Sequence, residues 1–218
     1  MDIVTGVGVL DKAVHLLRAV AETPRTLGGL QSATGLPRAT AHRLAVALEA
    51  HGLLRRDDDG RFDLGPELAS LGRTAAERFP LAGLALPALE ALRAATDESV
   101  QLFVREGSHR RCVVSLQSPH ALRWIVPEGV LFPLDVGSAG RVLSSIDLSG
   151  WIESVEEREP GVASVSAPVF DVDGSVVAAV SVSGPIDRLT RAPGERFGES
   201  VLAAAAEIAR TLGTPPSN

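Results

Sequence analysis

The 218-residue sequence has a single cysteine, Cys112, and no pair of cysteines or histidines at the spacing of a zinc site. One cysteine cannot form an intrachain disulfide, so a reducing compartment is expected. Long hydrophobic runs are also missing, because VVAAVSVSGPI is too short to cross a bilayer and Pro87 interrupts LAGLALPALEAL. The N-terminal segment begins with an acid and lacks the basic and apolar regions of a signal peptide. We therefore expect a cytoplasmic protein with no metal site and no cofactor.

The sequence also lacks an excess of positive charge. It contains 21 basic and 27 acidic residues, which gives a formal net charge of −6 and argues against broad, non-specific binding to nucleic acids. Residues 1–80 hold ten basic and ten acidic side chains, so the negative excess lies in the remainder. The length and the 45% hydrophobic content favour two modest domains.

Three helices and a hairpin are predicted in the first 65 residues. Helices are expected over 10–22, from Thr26 to Gly35, and over 37–51, and the DDDG turn joins strand-like runs at 53–56 and 61–64. The residues expected on the buried helix faces are Leu10, Val14, Leu17 and Ala21, then Leu27, Leu30 and Ala33, then Ala41, Leu44, Ala45 and Leu48. This order is typical of a winged helix-turn-helix, whose second motif helix enters the DNA major groove.

The polar residues of this region have the chemistry of a DNA-binding surface. Arginine can bind phosphate or guanine, and hydroxyl and imidazole groups can reach base edges or backbone. The candidate DNA-binding residues are Arg38, Thr40, His42 and Arg43 on the third helix and Arg55, Arg56 and Arg61 on the hairpin. The alternative is that these side chains are simply solvated. The acidic turn strengthens that alternative, because it repels phosphate unless it faces away or Arg56 or Arg61 neutralises it.

A second domain is predicted after a linker helix that begins at Pro66. The linker helix carries Leu68, Leu71, Ala75 and Phe79 along one side. Beyond Pro80 the pattern predicts a helix at PALEALRAATDES, strands at VQLFVRE and RRCVVSLQ, and a short helix at SAGRVLSSI. A hairpin around DVDG and a final helix over 194–212 follow. Cys112, between apolar neighbours on a strand, is expected to be a buried small side chain.

A polar pocket is predicted where small residues line the second hairpin. Strand alternation places Val176, Ala178, Val180 and Val182 on one face and the serines on the other. The candidate effector-binding residues are Ser164, Ser166, Ser181 and Ser183 on the strands and Gly137, Ser138 and Ala139, which with Gly140 open a helix whose N–H groups favour an anion. The alternative is that small residues let a helix pack closely and the serines satisfy neighbouring backbone.

These segments together resemble a known family. RTLGGLQSATGLPRATAHRLAVALEAHGLLRRDDDGRFDLG is similar to the N-terminal domain of IclR-family bacterial transcriptional regulators, and ALPALEALRAATDESVQLFVREG, GSAGRVL and GVASVSAPVFDVDGSVVAAVSVSGPIDRLT resemble the family's C-terminal domain. The resemblance implies an α+β protein with a winged helix-turn-helix domain (1–65), a linker helix (66–80) and a GAF-like effector-binding domain with an antiparallel sheet (81–218). VGVLDKA and EREPGVASVSAPV look most similar to NdgR-like regulators of leucine and other amino-acid biosynthesis genes.

The resemblance also implies partners and one departure. Family members bind a near-palindromic operator as a homodimer or a dimer of dimers, and a small molecule, here an amino acid or related metabolite, alters that binding. Between GRVLSS and GVASV, this sequence has a shorter stretch than the family carries, which affects one side of the pocket. The chain is not expected to be an enzyme, because no GxSxG elbow is present. A sensor that does not bind DNA, or a hydrolase with a dispersed triad, is the alternative.

Overall fold

The chain divides into two compact units, Met1–Phe79 and Pro80–Asn218. The computed structural model describes residues 7–78, 80–145, 148 and 150–213. This division lies beside residue 80, where the predicted linker helix ends, and the predicted domain bounds stay a prediction. The linker helix is grouped with the first unit, so the division at residue 65 stays a prediction.

The first unit consists of three helices, a two-stranded hairpin and a fourth helix. Their bounds are α1 Gly8–Glu22, α2 Leu27–Thr34, α3 Arg38–Ala50, β1 Leu54–Arg56, β2 Phe62–Leu64 and α4 Pro66–Arg78. Thr26 caps α2 by accepting a hydrogen bond from the Gly29 amide, and Gly35 closes it with a φ of 67°. The strands pair antiparallel, with Leu54 opposite Leu64. The predicted helix–helix–helix–hairpin order is confirmed.

The buried face of α1 is not the predicted one. Leu16 and Val20 are buried against α2, α3 and the hairpin, whereas Leu10 is 53% exposed and Val14 is 36% exposed. The helix carries apolar residues on more than one stripe, so spacing alone does not select the stripe that faces the core. Packing against Leu30 selects it.

Two other predicted faces are only partly correct. In α2, Leu30 is buried but Ala33 is exposed, because a helix of eight residues offers few positions to the core. In α4, Leu71 is 54% exposed and Ala75 is also exposed, and Phe79 lies outside the described residues. The predicted apolar stripe of α3 agrees more closely with the structure, because Ala41, Ala45 and Leu48 are buried and Leu44 is half-buried.

The second unit is built on a six-stranded antiparallel sheet in the order β5-β4-β3-β8-β7-β6. Its elements are α5 Leu81–Thr96, β3 Ser99–Glu106, β4 His109–Leu116, β5 Leu131–Pro133, α6 Ser138–Ser144, β6 Ile152–Val155, β7 Val162–Phe170, β8 Val176–Pro185, α7 Ile186–Leu189 and α8 Pro193–Gly213. Both predicted hairpins are present. The edge strands β5 and β6 are not predicted from the sequence, because segments of three or four residues show no clear alternation.

Helices α5 and α8 cover one face of the sheet, where Leu89 and Val201 are fully buried. Helix α5 begins six residues before Pro87, although that proline was expected to interrupt the segment. A proline inside a helix removes one hydrogen bond and costs roughly 3 kcal/mol. Burial of Ala85 and Leu89 on either side of it offsets this cost. None of the described helices is both long and apolar enough to span a membrane.

The opposite face of the sheet is covered by α6 and lined by polar side chains. The predicted alternation of β8 holds from Ala178 to Ser183 but fails at its start. Ala178 pairs with Val169 and Val176 pairs with Phe170, so Val177 is an extra, bulged residue. Val177 therefore packs on the helix side, and Val176 packs on the α6 side, the reverse of the prediction.

Candidate DNA-binding face and ligand pocket

The outer side of α3 carries the first group of predicted site residues, which we term the recognition face: Arg38, Thr40, His42 and Arg43. Three of these side chains are exposed and Thr40 is half-buried, while the opposite side of α3 packs into the core. Arg38 donates to Gln31 Oε1 at 3.3 Å on the surface. Within the described residues, His42 and Arg43 form no hydrogen bond or ion pair. The recognition face therefore presents unpaired basic side chains to whatever lies against it.

The hairpin arginines Arg55, Arg56 and Arg61 have partners inside the first unit. Arg55 is paired with Asp63 across the strands. Arg56 lies 3.5 Å from a Glu49 oxygen, and its guanidinium is 3.9 Å from the Phe62 ring centroid. The predicted surface thus contains two kinds of arginine: those of α3, which are available, and those of the hairpin, which are already compensated.

The acidic turn is neutralised by Arg61, one of the two arginines expected to do so. Arg61 forms ion pairs with Asp57 and Asp59, both at 2.8 Å. Its hydrogen bond holds the pKa of Asp57 below its usual value. Asp57 also accepts from the backbone of Asp59 and Arg61, which closes the turn. The carboxylates of the turn therefore serve its local structure.

Four serines of the second unit form one connected hydrogen-bonded group, the serine network: Ser138, Ser164, Ser166 and Ser181. Ser138 Oγ lies 2.7 Å from the Oγ atoms of both Ser164 and Ser166, and Ser166 Oγ donates to Ser181 Oγ at 2.9 Å. The register places Ser166 directly opposite Ser181. The serines of β7 and β8 therefore lie on the same face of the sheet.

A pocket opens between the serine network and the loops above it. Ser183, also among the predicted residues, donates to Gln101 Oε1 at 2.8 Å, and the Gln101 side chain is buried with Nε2 unpartnered. The free volume at the centre is about 30 Å³, close to one water molecule. The lining residues are Gln101, Phe103, Arg110, Trp124, Val126, Gly137, Ser138, Ala139, Ser154, Glu157, Arg158, Glu159, Val162, Ser164, Ser181 and Ser183. All seven predicted residues lie in or under this wall, with Ser166 beneath it.

One backbone amide at the N-terminus of α6, that of Gly137, already has a partner within the chain. The Gly137 amide donates to Glu157 Oε2 at 2.9 Å, and the same carboxylate lies 2.9 Å from Arg141. Glu157 belongs to the loop between β6 and β7, so this loop is fastened to the start of α6. The part of the prediction that relied on free backbone N–H groups at Gly137 is therefore wrong.

Two arginines of the pocket were not predicted. Arg110 is 1% exposed, and it shares the inner face of β4 with Cys112. Strand alternation around the expected buried cysteine could have located it. Arg158 stands 3.8 Å from the Phe132 ring centroid and 5.5 Å from that of Trp124. Its position depends on the fold of the loop, for which the sequence has no comparable signal.

Cys112 is fully buried, as expected from its neighbours. Burial raises the pKa of its thiol to about 12. The side chain is therefore neutral at physiological pH and contributes to packing rather than to thiolate chemistry.

Comparison with known proteins assigns both units. The family model for the IclR helix-turn-helix domain matches residues 9–58, and the model for the bacterial transcriptional regulator IclR C-terminal domain matches 73–148 and 142–210. The glycerol operon regulatory protein of Streptomyces coelicolor is 30% identical over 244 aligned positions, covering 94% of this chain and 96% of that protein. KipR of Bacillus subtilis is 28% identical, and the alignment covers 93% of this chain and 96% of KipR.

These alignments contain more positions than the chain has residues, 244 against 218, so the relative has residues that this chain lacks. The two ranges matched by the C-terminal family model overlap at residues 142–148, so the match is split there. This agrees with the predicted shortening after α6.

Solved structures share the fold. The Thermotoga maritima IclR has a TM-score of 0.73 at 22% identity, covering 95% of this chain and 99% of that one. An IclR homologue from Microbacterium hydrocarbonoxydans, complexed with 4-hydroxybenzoate, has a TM-score of 0.74 at 22% identity. The match covers 94% of this chain and 98% of the homologue. The expected α+β fold is confirmed. With both domains matched by their family models, the chain belongs to the IclR family of DNA-binding bacterial transcriptional regulators, which are not enzymes.

Proposed function

We propose that the recognition face of α3 contacts DNA in a sequence-specific way and that the pocket of the second unit holds a small-molecule effector. The observation that carries the proposal is the contrast among the arginines. The α3 arginines have no acidic partner among the described residues, whereas each hairpin arginine pairs with a carboxylate. Unpaired cations on a helix are the groups that bind phosphate and guanine.

The operator is proposed to be near-palindromic and bound by a homodimer or a dimer of dimers. A two-fold symmetric protein places two recognition helices on symmetric half-sites about one helical turn apart. The exposed apolar residues of α1, Leu10 and Val14, are compatible with such an assembly. Sedimentation of the protein with and without operator DNA measures its stoichiometry.

The effector is proposed to bind at the serine network. Hydroxyl groups both donate and accept hydrogen bonds, so a network of four can orient a polar ligand. The homologue complexed with 4-hydroxybenzoate supports a small molecule as the effector. Control of leucine or other amino-acid biosynthesis genes in the manner of NdgR-like regulators stays a prediction. The relatives named above include a regulator of a glycerol operon.

One experiment tests the targets and the effector class together. Purified protein is incubated with fragmented genomic DNA from its own organism, with and without a set of amino acids, and the retained DNA is sequenced. The proposal expects enrichment of a short palindrome and a change in retention with at least one compound. Enrichment upstream of amino-acid biosynthesis genes would support the finer assignment. No enrichment of any sequence would favour a sensor that does not bind DNA.

Arg43→Ala tests the recognition face itself. If Arg43 binds guanine through two hydrogen bonds, operator affinity falls by about 1 to 3 kcal/mol, or roughly 5- to 150-fold, and specificity at that base relaxes. A phosphate contact would instead weaken binding to all sequences alike. Arg61→Ala is the matched control, since Arg61 is held by Asp57 and Asp59. Unchanged operator binding by Arg43→Ala would exclude this face as the DNA contact.

A further inference from the structure

Arg110 is a buried cation without an acidic partner. Its Nη1 atom donates to the carbonyl oxygens of Pro133 and Val136, and its Nε atom has no partner. No carboxylate of the described residues lies within ion-pair distance of it. Two carbonyl groups fix the position of the guanidinium but do not balance its charge, and an uncompensated buried charge is costly.

Arg158 brings a second guanidinium to the same corner of the pocket. The Arg110 and Arg158 guanidinium carbons lie 5.4 and 3.8 Å from the centroid of the Phe132 ring. Both side chains approach Gly137: a Cβ atom there would lie 3.3 Å from Arg110 Nη2 and 3.4 Å from Arg158 Cδ. Within the described residues, Arg158 forms no hydrogen bond or ion pair. Its packing contacts are aromatic faces.

Two acids, Glu157 and Glu159, line the pocket beside these arginines, but within the described residues neither forms an ion pair with them. Glu157 is bound to the Gly137 amide and to Arg141. Asp135 and Glu159 act on the arginines only as charges at longer range. Burial is the main cause that lowers the pKa of Arg110, to about 10, and it also lowers the pKa of Arg158. Both remain cations at neutral pH, and within the described residues neither has a carboxylate at ion-pair distance.

The unsatisfied polar atoms of the wall are all hydrogen-bond donors. Buried side-chain atoms without a partner, among the described residues, are Gln101 Nε2, Arg110 Nε and Arg141 Nε. Gln101 and Arg110 line the pocket, and Gln101 is 1% exposed. Donors that lack acceptors are satisfied by a ligand that is rich in acceptor oxygens.

We infer that the pocket binds a small oxyanion, a carboxylate or a phosphate, held between the guanidinium groups of Arg110 and Arg158 at the Gly137 corner. Gln101 and the serine network contact the remaining polar atoms of the ligand. The free volume of about 30 Å³ is smaller than such a ligand, so the proposal requires side chains of the pocket wall to rearrange on binding. The role of this anion as effector rests on the proposed function, but its binding does not.

The test is a titration of the full chain, without DNA, at constant ionic strength. The probes are inorganic phosphate and three carboxylates, acetate, malonate and benzoate, each compared with its amide. Binding is followed by calorimetry and by tryptophan fluorescence, to which Trp124 in the pocket wall contributes. At least one oxyanion is expected to bind saturably. The amide of a binding carboxylate is expected to bind at least about tenfold more weakly, since it lacks the charge that guanidinium pairs with. The carboxylate and phosphate arms distinguish the two sources of the oxyanion.

Three variants identify the groups responsible. Arg158→Met keeps the aliphatic contacts and is expected to weaken binding at least about tenfold. Arg191→Met is the matched control, because Arg191 is exposed and paired with Glu156 outside the pocket. Glu157→Gln keeps an acceptor for the Gly137 amide but removes a nearby negative charge, so it is expected to tighten anion binding. If Arg158 and Glu157 had only structural roles, their substitutions would not change the anion affinity in opposite directions.

The inference is overturned if amides bind as well as their carboxylates or if Arg158→Met binds like the wild type. Absence of any oxyanion binding up to ~10 mM, equivalent to a binding free energy of about 3 kcal/mol, also overturns it. Retention of operator DNA is scored separately. A chain that binds an oxyanion but retains no DNA refutes the proposed function alone, and a chain that retains DNA but binds no oxyanion refutes this inference alone.

Discussion

Replacement of Arg110 by methionine should leave the ligand-free protein at least as stable as the wild type, although it removes a buried, hydrogen-bonded side chain. Burial lowers the pKa of Arg110 to about 10. A pKa lowered this far corresponds to a cost of about 3 kcal/mol for keeping the charged form in the folded state. Methionine removes that cost but leaves the carbonyls of Pro133 and Val136 without their donor, at about 1 kcal/mol each. The expected net gain in unfolding free energy is about 1 kcal/mol.

Urea unfolding followed by tryptophan fluorescence measures this difference in the relevant unit, because both tryptophans, Trp124 and Trp151, lie in the second unit. Arg111→Met is the control, since Arg111 is paired with Glu106 on the outer side of β4. It is expected to lose up to about 1 kcal/mol. If Arg110→Met instead unfolds more easily by over about 1 kcal/mol, the charge of Arg110 is compensated and the oxyanion inference loses its basis.

The pH dependence has a definite sign. Arg110 is a base whose pKa is lower in the folded state, so its protonated form destabilises the fold at all pH values below about 10. The cost is relieved as the pH rises from about 10 toward the higher pKa of the unfolded chain. The stability advantage of Arg110→Met should therefore be full at pH 7 and smaller at alkaline pH. An advantage that grows with pH would contradict this account.

Two substitutions test the packing beneath the pocket. Ser166→Ala leaves the buried hydroxyl of Ser181 without its partner, so the free energy of unfolding measured in urea should fall by about 1 to 2 kcal/mol. Ser175→Ala is the control, because Ser175 is an exposed turn residue and its replacement should not change the free energy of unfolding. Gly140→Ala places a methyl group against a backbone carbonyl and the buried guanidinium, with an expected loss of about 1 to 3 kcal/mol. Gly150→Ala is the control, because its new methyl group meets no atom within 4 Å and stability should not change. If Gly140→Ala is as stable as Gly150→Ala, the close approach of other atoms to Gly140 in α6 is refuted.

Local signals in the sequence were sufficient for the turns and for the hairpins they close. The Asp–Gly turns at 59–60 and 173–174 lie where predicted, each with glycine at a positive φ. Gly35 likewise ends α2. These features depend on backbone geometry within a few residues, which residue type controls directly.

Features that depend on distant packing were harder to predict. Pro87 lies within α5 because burial on both sides outweighs a lost hydrogen bond. The bulge at Val177 reverses the start of β8, because a partner strand sets the register. Arg158 lies in the pocket because of the fold of its loop, for which the sequence has no periodic signal, whereas Arg110 could have been located from the alternation around Cys112.

Salt dependence of operator binding separates the available arginines from the compensated ones. Each phosphate neutralised on binding contributes about 0.9 to the slope of log affinity against log salt. A dimer using only Arg38 and Arg43 of each recognition face should have a slope near −4, whereas full participation of Arg55, Arg56 and Arg61 as well would bring it near −9. Because the hairpin arginines are held by Asp63, Glu49 and the DDDG turn, we expect the shallower slope. Arg61→Ala should leave the slope unchanged. If Arg43 contacts phosphate, Arg43→Ala should reduce the magnitude of the slope by about 2 in the dimer. A steep slope that Arg61→Ala reduces would mean that DNA displaces the turn carboxylates, and the distinction drawn between the two sets of arginines would then be wrong.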